Sequence, residues 1–148
     1  MLISVHSYYS LRYGTIGVEP LVDLLLAAGY TSAALTDINN TTGSLAFLKC
    51  ASAKGLAAQV GVEFRNGDRL LYIGLARNQE GFRELNELLT QCNLTGTPLP
   101  EIAPVFNAVY VIYPYGQCEI GDLRDNEYIG VKQAHLNKLW QGGTKHQS

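Results

Sequence analysis

The sequence has few charged residues, and positive and negative residues are nearly equal in number. Charged residues make up 16% of the 148 positions, and eleven Lys and Arg residues nearly balance thirteen Asp and Glu residues, for a net charge of −2. No run of basic residues is present, so the chain lacks the electrostatic surface with which proteins grip duplex DNA unaided. Any contact with DNA is therefore expected to be indirect.

Cysteines and long apolar runs are also scarce. Cys50, Cys92 and Cys118 are odd in number, widely spaced and outside any C-x-x-C motif, which argues against a disulfide framework and a structural zinc site. No apolar run approaches the roughly eighteen residues that cross a bilayer, and the N-terminus lacks the pattern of a signal peptide. These features predict a cytoplasmic protein with no membrane partner.

What is present is an alternation of strand-like and helix-like segments. Strands are predicted over residues 2–5, 32–36 and 57–63, and helices over 21–28 and 44–54. A glycine directly after each predicted helix suits a left-handed cap, and Leu21, Leu24, Leu25 and Ala28 form the predicted buried stripe of the first helix. Two successive strand–helix–strand units predict parallel strands and an α/β fold.

The second half of the chain departs from this alternation. Asn66-Gly67 between two apolar runs predicts one antiparallel hairpin among the parallel strands. A helix is predicted over 80–89, strands over 107–113 and 127–131, and a last helix over 133–140. The proline-containing connection over 93–104 is predicted to be irregular, and an internal boundary is placed near residues 93–106 of an otherwise single domain over 1–148.

Three polar side chains are predicted at the carboxyl ends of the first three strands. His6, Asp37 and Glu63 each close an apolar strand-like run, and chemistry in parallel α/β folds is built at that edge. One imidazole and two carboxylates suit a divalent cation such as manganese, zinc or iron. The alternative is structural: His6 as a hydrogen-bonded histidine at a strand end, and Asp37 as a cap on the Asn39-Asn40 turn.

The loop after the first strand is rich in tyrosine. Tyr8, Tyr9 and Tyr13 lie there together with Arg12. Such a loop could stack on a nucleotide base or pack down on the rim of the fold, because amphipathic aromatic side chains serve both purposes. These four residues are the ligand-loop candidates, with the packing interpretation favoured over the binding one.

The order of these segments resembles one known family. Five features carry the resemblance: His6 after the first strand, Thr36-Asp37-Ile38, Gly61-Val62-Glu63, and the stretches over 85–89 and 123–130. Together they resemble the N-terminal PHP (polymerase and histidinol phosphatase) domain of bacterial DNA polymerase III α subunits. The resemblance implies a distorted (βα) barrel, of which this chain would be a part because such barrels need about 200 residues or more.

The resemblance also implies that the family's metal site is degraded here. Ser4 stands where the family has the first histidine of His-x-His, Ile38 replaces the histidine of Thr-Asp-His, Tyr13 replaces an acidic residue before Gly14, and Leu71 aligns with a further histidine. Only His6, Asp37 and Glu63 match. Losing this many ligands should abolish most of the affinity for a metal cluster, so we expect no catalytic residue and at most weak binding of a divalent metal.

The leading hypothesis is therefore a fragment of a replicative DNA polymerase III α subunit, a DNA-directed nucleotidyltransferase, in which this PHP domain is structural or partner-binding. Its expected partners are other domains and subunits of the polymerase. One alternative is a metal-dependent phosphoesterase with a reduced His6, Asp37 and Glu63 centre. Another is an independent binding module that uses the tyrosine loop as its platform. The fragment is not expected to act as an enzyme by itself.

Overall fold

The computed structural model describes residues 1–136, which contain one six-stranded mixed sheet and three helices that lie wholly within that range. The elements, in chain order, are β1 (Leu2–Val5), α1 (Val18–Ala27), β2 (Ser32–Ile38), α2 (Ser44–Lys54), β3 (Ala57–Asn66), β4 (Arg69–Ala76), α3 (Gln79–Thr95), β5 (Val109–Pro114), a short 3₁₀ turn (Ile120–Asp122) and β6 (Glu127–Gly130).

The strands lie in the sheet in their chain order. β1, β2 and β3 are parallel, as are β5 and β6, while β4 runs antiparallel to both of its neighbours. The predicted α/β fold with mostly parallel strands and one antiparallel hairpin is confirmed, and the β3–β4 hairpin turns at Gly67, whose φ is +59°. Because β4 alone is reversed, five strands point their carboxyl ends to the same edge of the sheet.

The helix ends follow the glycine signals. α1 is followed by Gly29 and α2 ends at Gly55, with φ of +87° and +80°, a left-handed conformation that glycine adopts without a steric penalty. The buried residues of α1 are Leu21, Val22 and Leu25. The predicted stripe was wrong at Leu24, which is 53% exposed because the packed face is rotated toward Val22, and at Ala28, which is exposed just past the end of the helix.

Two apolar clusters hold the sheet to its helices. The first packs α1 and α2 on the parallel strands, with Phe47 fully buried at its centre. The second packs α3 on β4 and β5 and contains the rings of Phe64, Tyr72 and Tyr113, which meet at tilted and edge-on angles. The partly buried Phe82 contacts both clusters, so the two halves of the described chain share one continuous apolar interior.

The connection after α3 differs from its prediction. The helix continues to Thr95, six residues beyond the predicted end, and stops at Gly96 with φ of +65°. The following residues have no regular structure, but Leu99, Ala103 and Phe106 are buried in the second cluster. Whether this region marks a boundary stays a prediction.

The end of the described chain agrees with the predicted last helix over the part of that helix that is described. Residues 133–136 are helical, and the remainder of the predicted helix over 133–140 lies outside the described residues. Within residues 1–136, no helix is long and apolar enough to cross a membrane.

Candidate functional site at the rim of the sheet

The carboxyl ends of β1 and β3 bring His6 and Glu63 into direct contact. The imidazole Nε2 of His6 lies 2.7 Å from Glu63 Oε2, within hydrogen-bond distance. Glu63 is 2% exposed, although it sits at the edge of the sheet where ligands usually bind. The prediction that His6 is a hydrogen-bonded histidine at a strand end therefore agrees with this geometry.

The Glu63 carboxylate is surrounded by donors from the protein itself. Arg65 Nε donates to Oε1 at 2.6 Å and its Nη2 lies 2.5 Å from the same oxygen, while Ser4 Oγ donates to Oε2 at 3.0 Å. Burial favours the neutral carboxyl group, but hydrogen bonds and charge from His6, with hydrogen bonds from Arg65 and Ser4, outweigh it and lower the pKa of Glu63. The carboxylate is therefore held ionised by internal partners.

Ser4 reaches Glu63 from an irregular point in β1. Its φ is +71°, in the left-handed region that non-glycine residues seldom occupy, and the β1–β2 register shifts between Leu2 and Val5. A non-glycine residue keeps such a strained backbone conformation only where contacts with the surrounding structure hold it in place. The hydrogen bond to Glu63 is one such constraint, and it lies at the position where the family pattern calls for a histidine.

Arg65 connects Glu63 to the loop after β1 and to the hairpin turn. Its guanidinium carbon lies 4.9 Å from the centroid of the Tyr13 ring, and Nη1 donates to the Asp68 carbonyl at 2.9 Å. The Tyr13 hydroxyl donates in turn to Asp68 Oδ1 at 3.0 Å. The Tyr13 ring also meets His6 edge-on, with centroids 6.4 Å apart. Tyr13 therefore packs over the charged pair at the rim.

Asp37 belongs to a separate, buried cluster. Its Oδ1 accepts from the Ser7 backbone N–H and from Ser10 Oγ, both at 2.7 Å, and Oδ2 accepts from Ser7 Oγ at 2.6 Å. Ser10 Oγ also accepts from the Ile38 N–H at 2.9 Å. The prediction that Asp37 caps the Asn39-Asn40 turn was wrong, because its carboxylate anchors the loop after β1 instead.

Strand alternation explains why Asp37 and Glu63 do not meet. β2 extends to Ile38, two residues past its predicted end, and in the parallel register Ile38 faces Glu63 while Asp37 faces Val62. Successive side chains of a strand point to opposite faces of the sheet. His6 and Glu63 therefore share one face, and Ser7 and Asp37 share the other.

Within residues 1–136, no three His, Cys, Asp or Glu side chains lie close enough together to hold a metal ion. The available donors also fit a metal cluster poorly, because each carboxylate oxygen of Glu63 and Asp37 already accepts from a protein group. Metal ligation by His6, Asp37 and Glu63 stays a prediction. Among these three residues, the hydrogen bonds of the described chain join only His6 and Glu63.

The positions that depart from the family pattern gather around the same pair. Ser4 bonds Glu63, Tyr13 packs on Arg65 beside His6, and Ile38 lies opposite Glu63 in the register. Leu71 is fully buried in the second apolar cluster. Three of these four positions thus lie around the contact between His6 and Glu63.

The tyrosine loop combines packed and exposed side chains. Tyr8 and Tyr9 have ring centroids 4.5 Å apart, and Tyr8 and Tyr13 are 49% and 45% exposed. Arg12 is exposed, with φ of +74°. The loop is closed by a 2.9 Å hydrogen bond from the Tyr8 N–H to the Ile16 carbonyl. Binding of a ligand by Tyr8, Tyr9, Arg12 and Tyr13 stays a prediction.

Sequence reasoning missed Arg65 and the two serines. Arg65 lies two residues after Glu63 on the same strand, a spacing that places both side chains on one face, so the signal was present in the sequence. Ser7 and Ser10 carried no such signal, because their role depends on how the loop after β1 folds back on Asp37.

A family model described as the PHP domain matches residues 3–120, which is most of the chain. The chain belongs to the PHP domain family. This agrees with the order of strands and helices and with the position of His6 and Glu63 at the carboxyl edge of the sheet.

Two similar proteins are bacterial DNA polymerases. The DNA polymerase III subunit alpha of Treponema pallidum is 32% identical over 108 residues, covering 64% of this chain and 9% of the relative. The error-prone DNA polymerase of Corynebacterium diphtheriae is 31% identical over 99 residues, covering 66% and 9%. The chain thus spans about 9% of the length of these relatives and matches their N-terminal PHP region.

Among solved structures, a protein of Bifidobacterium adolescentis described as a 'putative metal-dependent phosphoesterase' matches this chain over 62% of its length and over 32% of the other chain, at 18% identity and a TM-score of 0.49. A likeness at this level says nothing about the chemistry of the present chain.

Proposed function

We propose that this chain is a non-catalytic PHP module of a DNA polymerase III α-type protein, with a structural and partner-binding role in DNA replication. The observation that carries the proposal is the engagement of the Glu63 carboxylate by His6, Arg65 and Ser4. A metal ion at this rim would have to displace a guanidinium and break partly buried hydrogen bonds, and it would find few other ligands.

The buried Asp37 supports the same conclusion. Its carboxylate fixes the loop after β1 through Ser7 and Ser10, so using it as a metal ligand would release that loop. Both family carboxylates thus serve the fold. Water activation by a metal, the usual source of the nucleophile in phosphoester hydrolysis, has no ready set of ligands here.

The partner role is supported by surface composition. Tyr8, Leu11 and Tyr13 are exposed on a loop that is anchored from below, and Leu11 is 83% exposed. Tyrosine and arginine are enriched at the centre of protein interfaces, and a preorganised loop loses little entropy on binding. Polymerase domains and subunits in the cytoplasm are the proposed partners, with any DNA contact made through them.

Isothermal titration of the metal-free protein with Mn²⁺ and with Zn²⁺ tests the proposal. We expect no heat beyond dilution at micromolar protein, and the Glu63→Gln variant should give the same trace. Binding with micromolar affinity, a defined stoichiometry and loss in the Glu63→Gln variant would contradict the structural role.

The alternative is a metal-dependent phosphoesterase with a reduced centre, and the contact between His6 and Glu63 is the one observation that favours it. It predicts metal-stimulated hydrolysis of an aryl phosphate or of a DNA 3′ end. Glu63→Gln is a better inactivating control than Asp37→Ala, because removing Asp37 also removes the anchor of the loop after β1. Equal turnover by the wild-type chain and the Glu63→Gln variant would dismiss the alternative.

A further inference from the structure

A buried carboxylate needs a compensating cation, and Glu63 has one within its own strand. Arg65 approaches Oε1 with both Nε and Nη2, at 2.6 and 2.5 Å. An unpaired ionised carboxylate in a protein interior is strongly unfavourable, so a group that stays 2% exposed and ionised depends on this pairing.

The remaining contacts of Arg65 complete a cation environment. The guanidinium meets a carboxylate oxygen, the Asp68 carbonyl oxygen at 2.9 Å, and the face of the Tyr13 ring at 4.9 Å. Oxygen ligands and the negative face of an aromatic ring are the groups that attract cations. These groups come from three segments: the loop after β1, β3, and the β3–β4 turn.

We propose that Arg65 is a built-in cation that occupies Oε1 of Glu63 and takes over the electrostatic role of a metal ion at this rim. The side chain acts as a positioning residue: it neutralises Glu63 and ties Tyr13 and the hairpin turn to the sheet. The inference rests on the proposed function, because it requires that the wild-type chain binds no metal at the rim formed by His6 and Glu63.

The proposal predicts that removing Arg65 both destabilises the chain and uncovers a weak metal site. In an Arg65→Ala variant, Glu63 keeps only His6 and Ser4 as partners. One oxygen of the carboxylate then lacks its cation, and that oxygen together with the His6 imidazole offers two ligands to Zn²⁺, a metal that both groups suit.

The chain provides a matched control in Arg69, on the other strand of the same hairpin. Arg69 pairs with Glu101 at 2.7 Å, with side chains 59% and 65% exposed. Exposed ion pairs contribute little to stability. By thermal unfolding in EDTA, Arg65→Ala is expected to lower Tm by roughly 10 °C and Arg69→Ala by no more than about 2 °C. Equal shifts in the two variants would overturn the proposal.

Zinc provides the second readout. At about 1 mM Zn²⁺, we expect the Tm of Arg65→Ala to rise by roughly 3 °C, as a site with submillimolar affinity would require, and that of Arg69→Ala to stay unchanged. An Arg65→Ala variant that gives no zinc response would overturn the inference and leave the proposed function standing. A zinc response of the wild-type chain would instead contradict the proposed function.

A double-mutant cycle keeps the test decisive if Arg65→Ala does not fold. Arg65→Met with Glu63→Gln removes both charges, so the proposal predicts that this double variant folds and unfolds at a higher temperature than either single variant. If the effects of the two substitutions on Tm simply add, Arg65 is not the partner that Glu63 requires and the inference fails.

Discussion

Asn66 and Leu99 form a two-point hydrogen-bonded pair that links the β3–β4 hairpin to the connection after α3. Asn66 Nδ2 donates to the Leu99 carbonyl at 2.9 Å, and the Leu99 N–H donates to Asn66 Oδ1 at 3.1 Å. The Asn66 side-chain amide makes the paired hydrogen bonds that a backbone peptide group of a neighbouring strand would make. It thereby holds the irregular segment after α3 against the sheet.

Replacing Asn66 by alanine should therefore loosen that connection. Two hydrogen bonds are lost while Leu99 itself stays buried, so we expect the free energy of unfolding to fall by about 2 kcal/mol in urea denaturation. Asn93→Ala, at an exposed position in α3, is the control and should change it by less than about 0.5 kcal/mol. A loss no greater than that of the control would show that the pair does not hold the connection.

Two neighbouring tyrosines are expected to respond oppositely to loss of their hydroxyl groups. Tyr72 is fully buried, its hydroxyl has no hydrogen-bond partner among the described residues, and burial raises its pKa. The Tyr113 hydroxyl, on a ring whose centroid lies 5.7 Å away, accepts from the Ala103 N–H at 3.0 Å.

Tyr72→Phe should therefore leave the free energy of unfolding unchanged or raise it by up to about 1 kcal/mol, while Tyr113→Phe should lower it by about 1–2 kcal/mol. Urea denaturation of the two variants under the same conditions measures both. If Tyr72→Phe costs as much as Tyr113→Phe, the Tyr72 hydroxyl has a partner, such as a buried water.

Removal of Asp37 should affect folding more than an exposed carboxylate would. Asp37→Ala leaves the Ser7 N–H and the hydroxyl groups of Ser7 and Ser10, all buried, without their shared acceptor. We expect the free energy of unfolding to fall by about 3 kcal/mol, with Asp125→Ala, at an exposed loop position, as the neutral control. A loss below about 1 kcal/mol would contradict the anchoring role of Asp37.

The sequence predicted the elements better than it predicted the contacts between them. Strand alternation, glycine caps and the Asn66-Gly67 turn are local signals, and the strands and helices that they predict are present. The site depends on register, which local signals do not contain. Because β2 continues to Ile38 and pairs it with Glu63, Asp37 turns to the opposite face, and the expected three-residue convergence becomes a pair.

The part of the site that local spacing did encode is Arg65. Residues 63 and 65 share a face of β3 by alternation alone, so a carboxylate and a guanidinium at this spacing already indicate an ion pair. Ser4 was read only as a missing histidine. Its hydrogen bond to Glu63 depends on a left-handed backbone conformation that no serine in a strand-like run would suggest.

The lowered pKa of Glu63 predicts a specific pH dependence of stability. A carboxylate whose pKa falls on folding, below its ordinary value of 4.5, stabilises the folded state above that value, and this stabilisation is lost as the pH falls through the folded pKa. Glu63→Gln has no such proton to bind. The difference in free energy of unfolding between wild type and Glu63→Gln should therefore be largest near pH 7 and shrink steadily below about pH 4.5, as measured by urea denaturation near pH 7 and below about pH 4.5.

Arg69→Ala separates this effect from general acid destabilisation, because its difference from wild type should change far less between the same two pH values. A Glu63→Gln difference that stays constant with pH would mean that Glu63 has the same pKa in the folded and unfolded states, and that His6, Arg65 and Ser4 do not hold it ionised.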